Sequence, residues 1–158
     1  ISATFTGRIM LKFEELLSSV VILSAFIPML MDTGGNSGNQ SSTLIIRGLA
    51  TGELSIRDWY KVLWKEFRIS IIVGIFLSLI NLLRLIYIEK VAFIIACVIS
   101  LTTVVTVISA KLVGGILPII AKKIGLDPAI MAGPIITTII DALSLMVYFG
   151  IATALLGL

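Results

Sequence analysis

Long apolar runs constrain this chain more than any other feature of its sequence. Four of them follow residue 15, at about 16–50, 67–88, 91–121 and 128–158. A transmembrane helix needs ~20 predominantly apolar residues to cross ~30 Å of hydrocarbon, and every run is long enough. None of the runs shows the alternating segments of ~10 residues that are typical of membrane β-barrel strands. The runs therefore predict an all-α membrane protein.

The composition supports a membrane-embedded chain and excludes several other classes. Of the 158 residues, 58% are hydrophobic and 13% are charged, whereas soluble domains average roughly 45–50% apolar and about 25% charged residues. The net charge of +3 is small and the basic residues are scattered, which argues against nucleic acid as a partner. With no His and one Cys, Cys/His metal sites and disulfide frameworks are excluded within a single chain. The partner that the composition predicts is the lipid bilayer.

Two segments outside these runs complete the expected bundle. Residues 1–15 lack an initiator Met and are interpreted as the last turns of a first membrane helix whose beginning is missing, which gives about five transmembrane helices. Residues 51–66 carry Trp59 on one helical face and Arg57 and Lys61 on another. This pattern favours a cytoplasmic loop with a short helix in the membrane interface. An extension of the next helix is the alternative.

The distribution of Lys and Arg predicts the orientation in the membrane. The basic residues around 51–66 and the pair Lys122 and Lys123 are separated by two spans, so both groups lie on one side. Cytoplasmic loops carry an excess of Lys and Arg, and we therefore assign this side to the cytoplasm. The C-terminus is then expected outside, in a multi-pass protein of the cell (plasma or inner) membrane.

A single carboxylate interrupts the last run. Asp141 is the only charged residue from Ala129 to Leu158, and a charge near the bilayer centre costs ~2.5–3.5 kcal/mol on insertion scales. It should therefore face protein or water. An Asp that only holds helices together by hydrogen bonds is the alternative. Helical spacing places Asp141 on one polar face with four other residues, namely Gly133, Thr137, Ser144 and Tyr148.

A second polar stripe lies in the first run, in the segment MDTGGNSGNQSSTLIIRG. This segment is too polar to face lipid, and its oxygen-bearing side chains suit a hard, oxygen-preferring cation. Two polar stripes on separate helices predict the lining of an aqueous path, and a helix–loop connection rich in turn residues is the alternative. The members of the second stripe recur every three or four residues: Asp32, Asn36, Asn39, Thr43 and Arg47.

Two long motifs add a family resemblance. PMLMDTGGNSGNQSSTLIIRGLATGEL and LDPAIMAGPIITTIIDALSLMVYFGIA closely resemble the transmembrane domain of MgtE, the magnesium channel family, and the likeness extends over essentially the whole chain. The resemblance implies a homodimer with five membrane helices per subunit, whose second and fifth helices line one pore on the two-fold axis. It implies a central ion site at Asp141, with backbone oxygens of Thr137 and Gly133 also facing the ion. The remaining pore-lining candidates are Asp32, Asn36, Asn39, Thr43 and Ser144.

The implied function is magnesium transport through a dimeric channel, and the family is not one of enzymes. Mg²⁺ loses its water reluctantly, so we expect the pore to hold the hydrated ion, such as the hexahydrate, between paired Asp141 carboxylates. Two facing carboxylates repel each other, and a dication relieves this repulsion better than a monovalent ion. Many relatives have an amide residue at the position of Gly133, which offers only its carbonyl. Nothing in the chain corresponds to the cytoplasmic N domain and paired CBS domains of the family.

Three other classes compete with a channel. A secondary transporter that exchanges Mg²⁺ for Na⁺ is the nearest, and the sequence does not exclude it. An intramembrane aspartyl protease is conceivable because Asp32 and Asp141 both lie in apolar runs, but the chain has no Gly-x-Gly-Asp motif. A pure anchoring subunit would not explain two polar stripes.

Overall fold

The computed structural model describes residues 21–157, and the regular structure in that range is helical, without β-strands. The predicted all-α architecture is confirmed, whereas the interpretation of residues 1–15 as a helix end lies outside the described residues. Residues 21–25 are helical and lead into the first long helix. The long helices are α1 (Ile27–Thr51), α2 (Trp59–Tyr87), α3 (Phe93–Lys123) and α4 (Pro134–Leu156), with 3-10 turns at Ile56–Asp58 and Pro128–Met131.

Helix α3 is the centre of the bundle, and the other three helices pack against it. Its closest approach to α1 is at Gly114, where a Cβ would overlap the backbone of Gly38. Its approach to α2 is close at Gly74, where a Cβ would lie 3.4 Å from the backbone of Val104. Small residues at such crossings let helix backbones come together, which favours helix association inside a bilayer. Helix α1 also packs against α4, so two helices hold it from two sides.

Within residues 21–157, three helical segments are long and apolar enough to cross a membrane by length and composition: Ile56–Tyr87, Phe93–Lys123 and Pro134–Leu156. Helix α1 is not among them, because its polar stripe lowers its hydropathy. With 25 residues, α1 is nevertheless roughly 38 Å long, enough to cross ~30 Å of hydrocarbon. Its polar face therefore needs protein or water beside it.

Clusters of packed apolar residues lie near the two ends of the bundle. One joins the start of α1 to the ends of α2 and α4, and there the hydroxyl of Tyr148 donates to the carbonyl oxygen of Leu23 at 2.9 Å. The other joins Ile45 of α1, Val62 of α2 and Ile119 of α3. Buried polar side chains of α1, α2 and α3 lie between these clusters along the helices.

The second spanning helix begins earlier than the sequence pattern favours. Helix α2 runs unbroken from Trp59 to Tyr87, so residues 59–66 are its first two turns and not a separate interfacial helix. A capping box precedes them, in which Asp58 Oδ2 accepts hydrogen bonds from the backbone N of Ser55 at 3.0 Å and from its hydroxyl at 2.8 Å. The cap fixes the start of the helical segment, and the buried faces of Val62 and Glu66 continue the packing of α2 into the bundle.

The last helix begins later than the sequence predicts. Asp127 caps only the 3-10 turn, where its Oδ1 accepts from the backbone N of Ala129 at 2.9 Å. Gly133 then adopts φ 68° and ψ −124°, a conformation that L side chains rarely adopt and glycine adopts readily. This interrupts the helix, and α4 starts at Pro134 with proline in its first turn. The helix predicted from residue 128 is thus a turn followed by α4.

Candidate ion-binding cleft

A cleft of about 270 Å³ lies between α1 and the first half of α4. Most of its lining is polar, and it brings together residues that are roughly a hundred positions apart in the chain. It contains five of the eight site residues that the sequence predicts. The lining residues are Met31, Asp32, Gly35, Asn36 and Asn39 from α1, and Thr137 and Asp141 from α4.

One side-chain hydrogen bond joins the two helices inside the cleft. Nδ2 of Asn39 donates to Oγ1 of Thr137 at 2.9 Å, and this hydroxyl donates to the carbonyl oxygen of Gly133 at 3.0 Å. The amide oxygen Oδ1 of Asn39 is buried and has no hydrogen-bond partner within residues 21–157. A buried acceptor without a donor costs free energy. Asn39 thus joins the two helices through its Nδ2 atom at the cost of an oxygen that has no donor in the described part of the chain.

The carboxylate of Asp141 is half-buried and forms no ion pair with another described residue. Gly35 lies opposite it on α1. A Cβ at Gly35 would lie 3.8 Å from Oδ1 of Asp141 and 3.4 Å from Cγ2 of Thr137. Glycine at this position therefore keeps the space in front of the carboxylate open for a cation or its bound water.

The cleft supplies oxygen ligands of two kinds, carboxylates from Asp32 and Asp141 and amides from Asn36 and Asn39. Asp32 and Asn36 are exposed and lie one turn apart on α1. Within residues 21–157, no three His, Cys, Asp or Glu side chains lie together so that they could hold a metal ion. These residues are therefore not suited to enclose a fully dehydrated ion. They suit Mg²⁺ that keeps several waters and meets one or two carboxylates.

Gly133 lies one turn before Thr137 and does not line the cleft. Its carbonyl oxygen accepts from the backbone N of Thr137 at 3.1 Å and from the Thr137 hydroxyl at 3.0 Å. A carbonyl oxygen has two lone pairs, and Thr137 engages both of them. An ion contact at Gly133 would require Thr137 to release one of these bonds.

Two further pore-lining candidates lie outside the cleft. Ser144 is 2% exposed, and its hydroxyl donates to the carbonyl oxygen of Ile140 at 2.7 Å. It is covered because α1 crosses α4 there: a Cβ at Gly34 would lie 2.7 Å from its Oγ. Thr43 is exposed on α1, two turns beyond Asn36. The two stripes therefore meet only over their first halves, where the helices leave a gap.

The structure also buries a charged pair that the sequence reasoning did not single out. Glu66 of α2 and Lys111 of α3 are each 3% exposed and form an ion pair at 3.9 Å. Lys111 is the only charge in the run 91–121, the same signal that identified Asp141. Glu66 gave no such signal, because residues 51–66 contain many charges.

The chain is similar in sequence to known proteins over most of its length. The family model of MgtE, a divalent cation transporter, matches residues 27–151, a range that includes the whole cleft. The magnesium transporter MgtE of Thermus thermophilus is 38% identical over 151 residues, which are 96% of this chain and 33% of that protein. The magnesium transporter MgtE of Bacillus subtilis is 41% identical over 152 residues, which are 94% of this chain and 33% of that protein.

A third relative, the magnesium transporter MgtE of Enterococcus faecalis, is 28% identical over 148 residues. The chain spans about a third of the length of these curated relatives. The part it shares with them contains both polar stripes. Since the family match covers residues 27–151 of the 158, the chain belongs to the MgtE family of divalent cation transporters.

Proposed function

We propose that the chain forms the pore of a magnesium transporter, in which hydrated Mg²⁺ passes along the cleft between α1 and α4. The observation that carries this proposal is a polar cleft lined by both Asp141 and Asn39. The carboxylate of Asp141 has no ion-pair partner among the described residues and faces a space that Gly35 keeps open. The relatives named magnesium transporters support Mg²⁺ as the ion.

The size of the cleft supports a hydrated ion. Each water needs at least ~10–15 Å³ of cavity volume of this kind, so six need roughly 60–90 Å³, and the cleft measures about 270 Å³. Water molecules on Mg²⁺ are strong donors, and the cleft residues Asp32, Asn36, Asn39 and Asp141 provide acceptors for them. The hexahydrate can thus be recognised through its waters, without the cost of removing them.

A homodimer completes the path. Asp32 and Asn36 are exposed, so one chain leaves a side of the cleft open, and an ion there would meet lipid. A second copy related by a two-fold axis would close that side with another pair of polar helices and bring a second Asp141 to the ion. Two-fold dimers are the commonest closed assembly. The side chains of Ile135 and Ile139, exposed on α4, would then lie at or beside the contact.

The test is magnesium uptake by the purified chain in liposomes that contain a fluorescent Mg²⁺ indicator. A channel predicts uptake that follows the Mg²⁺ gradient and the membrane potential, with equal Na⁺ on both sides. Uptake that requires an opposing Na⁺ gradient would identify an exchanger instead and contradict the channel. No uptake above that of empty liposomes would contradict the proposed function.

A further inference from the structure

The ion pair between Glu66 and Lys111 is buried between three helices and does not line the cleft. Each side chain is 3% exposed, and Nζ lies 3.9 Å from Oε2. Burial of an ion pair removes water from both charges, so such a pair is often no more stabilising than apolar residues of the same size. Stability alone therefore does not account for these two residues.

Both charges bind helix α1. Nζ of Lys111 donates to Oε1 of Gln40 at 3.0 Å and to Oγ of Ser41 at 3.4 Å. The Ser41 hydroxyl in turn donates to Oε2 of Glu66. A hydroxyl has one hydrogen, so Ser41 accepts from the ammonium and donates to the carboxylate, and the directions of these bonds are fixed. Hydrogen bonds to charged groups are roughly twice as strong as those between neutral groups.

The network and the cleft lie on opposite sides of α1. An α-helix turns roughly 100° per residue, so Asn39 lies about 200° around α1 from Ser41. Ser41 contacts Glu66 of α2 and Lys111 of α3, whereas Asn39 contacts Thr137 of α4. A rotation of α1 that moved Asn39 away from Thr137 would therefore have to break the bonds of Ser41 to both charges.

We propose that Glu66 and Lys111 are positioning residues: through Gln40 and Ser41 their ion pair fixes the rotation of α1 and so holds Asn39 against Thr137. The effect of this positioning on transport rests on the proposed function of the cleft. Its effect on the contact between Asn39 and Thr137 does not depend on that function. The competing explanation is that close packing of Gly38 against Gly114 sets the rotation by itself.

A disulfide reports the geometry directly. Cys97 is the only cysteine of the chain, so Cys97→Ala provides a background in which Asn39→Cys and Thr137→Cys can form only one intrachain bond. The rate of this bond under mild oxidation, followed by mass spectrometry of the joined peptides, measures how well position 39 faces position 137. The measurement needs no transport activity.

The decisive variant adds Glu66→Met and Lys111→Met together. Removal of one partner would leave an unpaired buried charge and destabilise the fold, whereas removal of both leaves apolar side chains of similar length. We expect disulfide formation at least fivefold slower, with a melting temperature within a few degrees of the parent. In the chain with native Asn39 and Thr137, the same double change should raise the apparent KM for Mg²⁺ at least threefold.

The matched control is Asp58→Asn with Lys61→Gln, which removes an exposed ion pair of 3.0 Å near the start of the same helix. It should leave the disulfide rate unchanged. An unchanged rate after the Glu66→Met and Lys111→Met changes would overturn the positioning role and favour glycine packing. A slower rate together with a large fall in melting temperature would overturn it too, because the pair would then act on the stability of the fold. Absence of transport by the parent chain would contradict only the proposed function.

Discussion

Asn39 and Thr137, 98 residues apart in the sequence, form a hydrogen bond of 2.9 Å across the crossing of α1 and α4. Among the described residues it is the only side-chain hydrogen bond between these two helices. The bond uses the Nδ2 atom of Asn39 and leaves Oδ1 buried without a partner. One residue therefore both joins the two helices and lines the cleft.

Replacement of Asn39 tests these two roles with two separate measurements. Asn39→Leu keeps the approximate size but removes the donor and the acceptor. The lost hydrogen bond is worth ~0.5–1.5 kcal/mol, so the melting temperature should change by only a few degrees. The apparent KM for Mg²⁺ uptake should rise at least fivefold, because the cleft loses a polar side chain and the hydrogen bond that positions Thr137. Asn81→Leu, at a half-buried amide of α2 outside the cleft, is the control, and an unaltered KM in Asn39→Leu would refute a role for Asn39.

Two glycines of the chain should respond in opposite ways to alanine. At Gly114 a Cβ would overlap the backbone of Gly38, and a backbone cannot move aside as a side chain can. Gly114→Ala should therefore lower the free energy of unfolding by ~1–3 kcal/mol. At Gly150 a Cβ meets nothing within 4 Å, and Gly150→Ala should be neutral or stabilise the helix by up to ~1 kcal/mol. Thermal unfolding in detergent measures both, and equal stabilities would contradict the close α1–α3 approach.

Gly35 offers a test of the space in front of Asp141. A Cβ at this position would lie at ordinary contact distances of 3.4 Å and 3.8 Å from its nearest neighbours, so Gly35→Ala should fold normally. The added methyl group narrows the cleft, and Gly35→Val narrows it further. We expect maximal uptake rates to fall stepwise from Gly to Ala to Val at little cost in thermal stability. Equal uptake rates with Gly, Ala and Val at position 35 would contradict an ion path beside this residue.

The orientation in the membrane is a separate prediction. The basic residues around 51–66 and at Lys122 and Lys123 are expected in the cytoplasm under the positive-inside rule. A cysteine introduced after the C-terminal residue, in the Cys97→Ala background, should then react in intact cells with a membrane-impermeant thiol reagent. Labelling only after the cells are opened would reverse the predicted topology.

The helical period explains why much of the cleft could be predicted from the sequence. Asp32, Asn36 and Asn39 recur at helical spacing, as do Thr137 and Asp141, and each set therefore lies on one face whatever the exact ends of the helices. The structure brings these five residues together in one cleft.

The remaining features depend on contacts between distant parts of the chain. The start of α4 depends on the positive φ of Gly133, which glycine permits but does not require. The burial of Ser144 depends on where α1 crosses α4 at Gly34. The pairing of Glu66 with Lys111 joins two helices at positions 45 residues apart, and no local pattern specifies which charges will meet.

In the proposed pore, the charge of Asp141 holds the ion. Asp141→Asn keeps the size and an acceptor oxygen but removes the charge. A charge-assisted hydrogen bond is worth ~1.5–3 kcal/mol, and a dimer would lose two of them. The variant should therefore take up Mg²⁺ at least about 100-fold more weakly at low concentration, without loss of thermal stability.

The most direct measurement is Mg²⁺ uptake by purified Asp141→Asn in liposomes, beside the parent chain and Asp127→Asn. Asp127 is an exposed carboxylate that caps the 3-10 turn, and Asn is an equally good cap, so this control removes the same charge outside the cleft. An ion site at Asp141 predicts a severe loss of uptake in Asp141→Asn and near-parental uptake in Asp127→Asn. Undiminished, Mg²⁺-selective uptake by Asp141→Asn would contradict it.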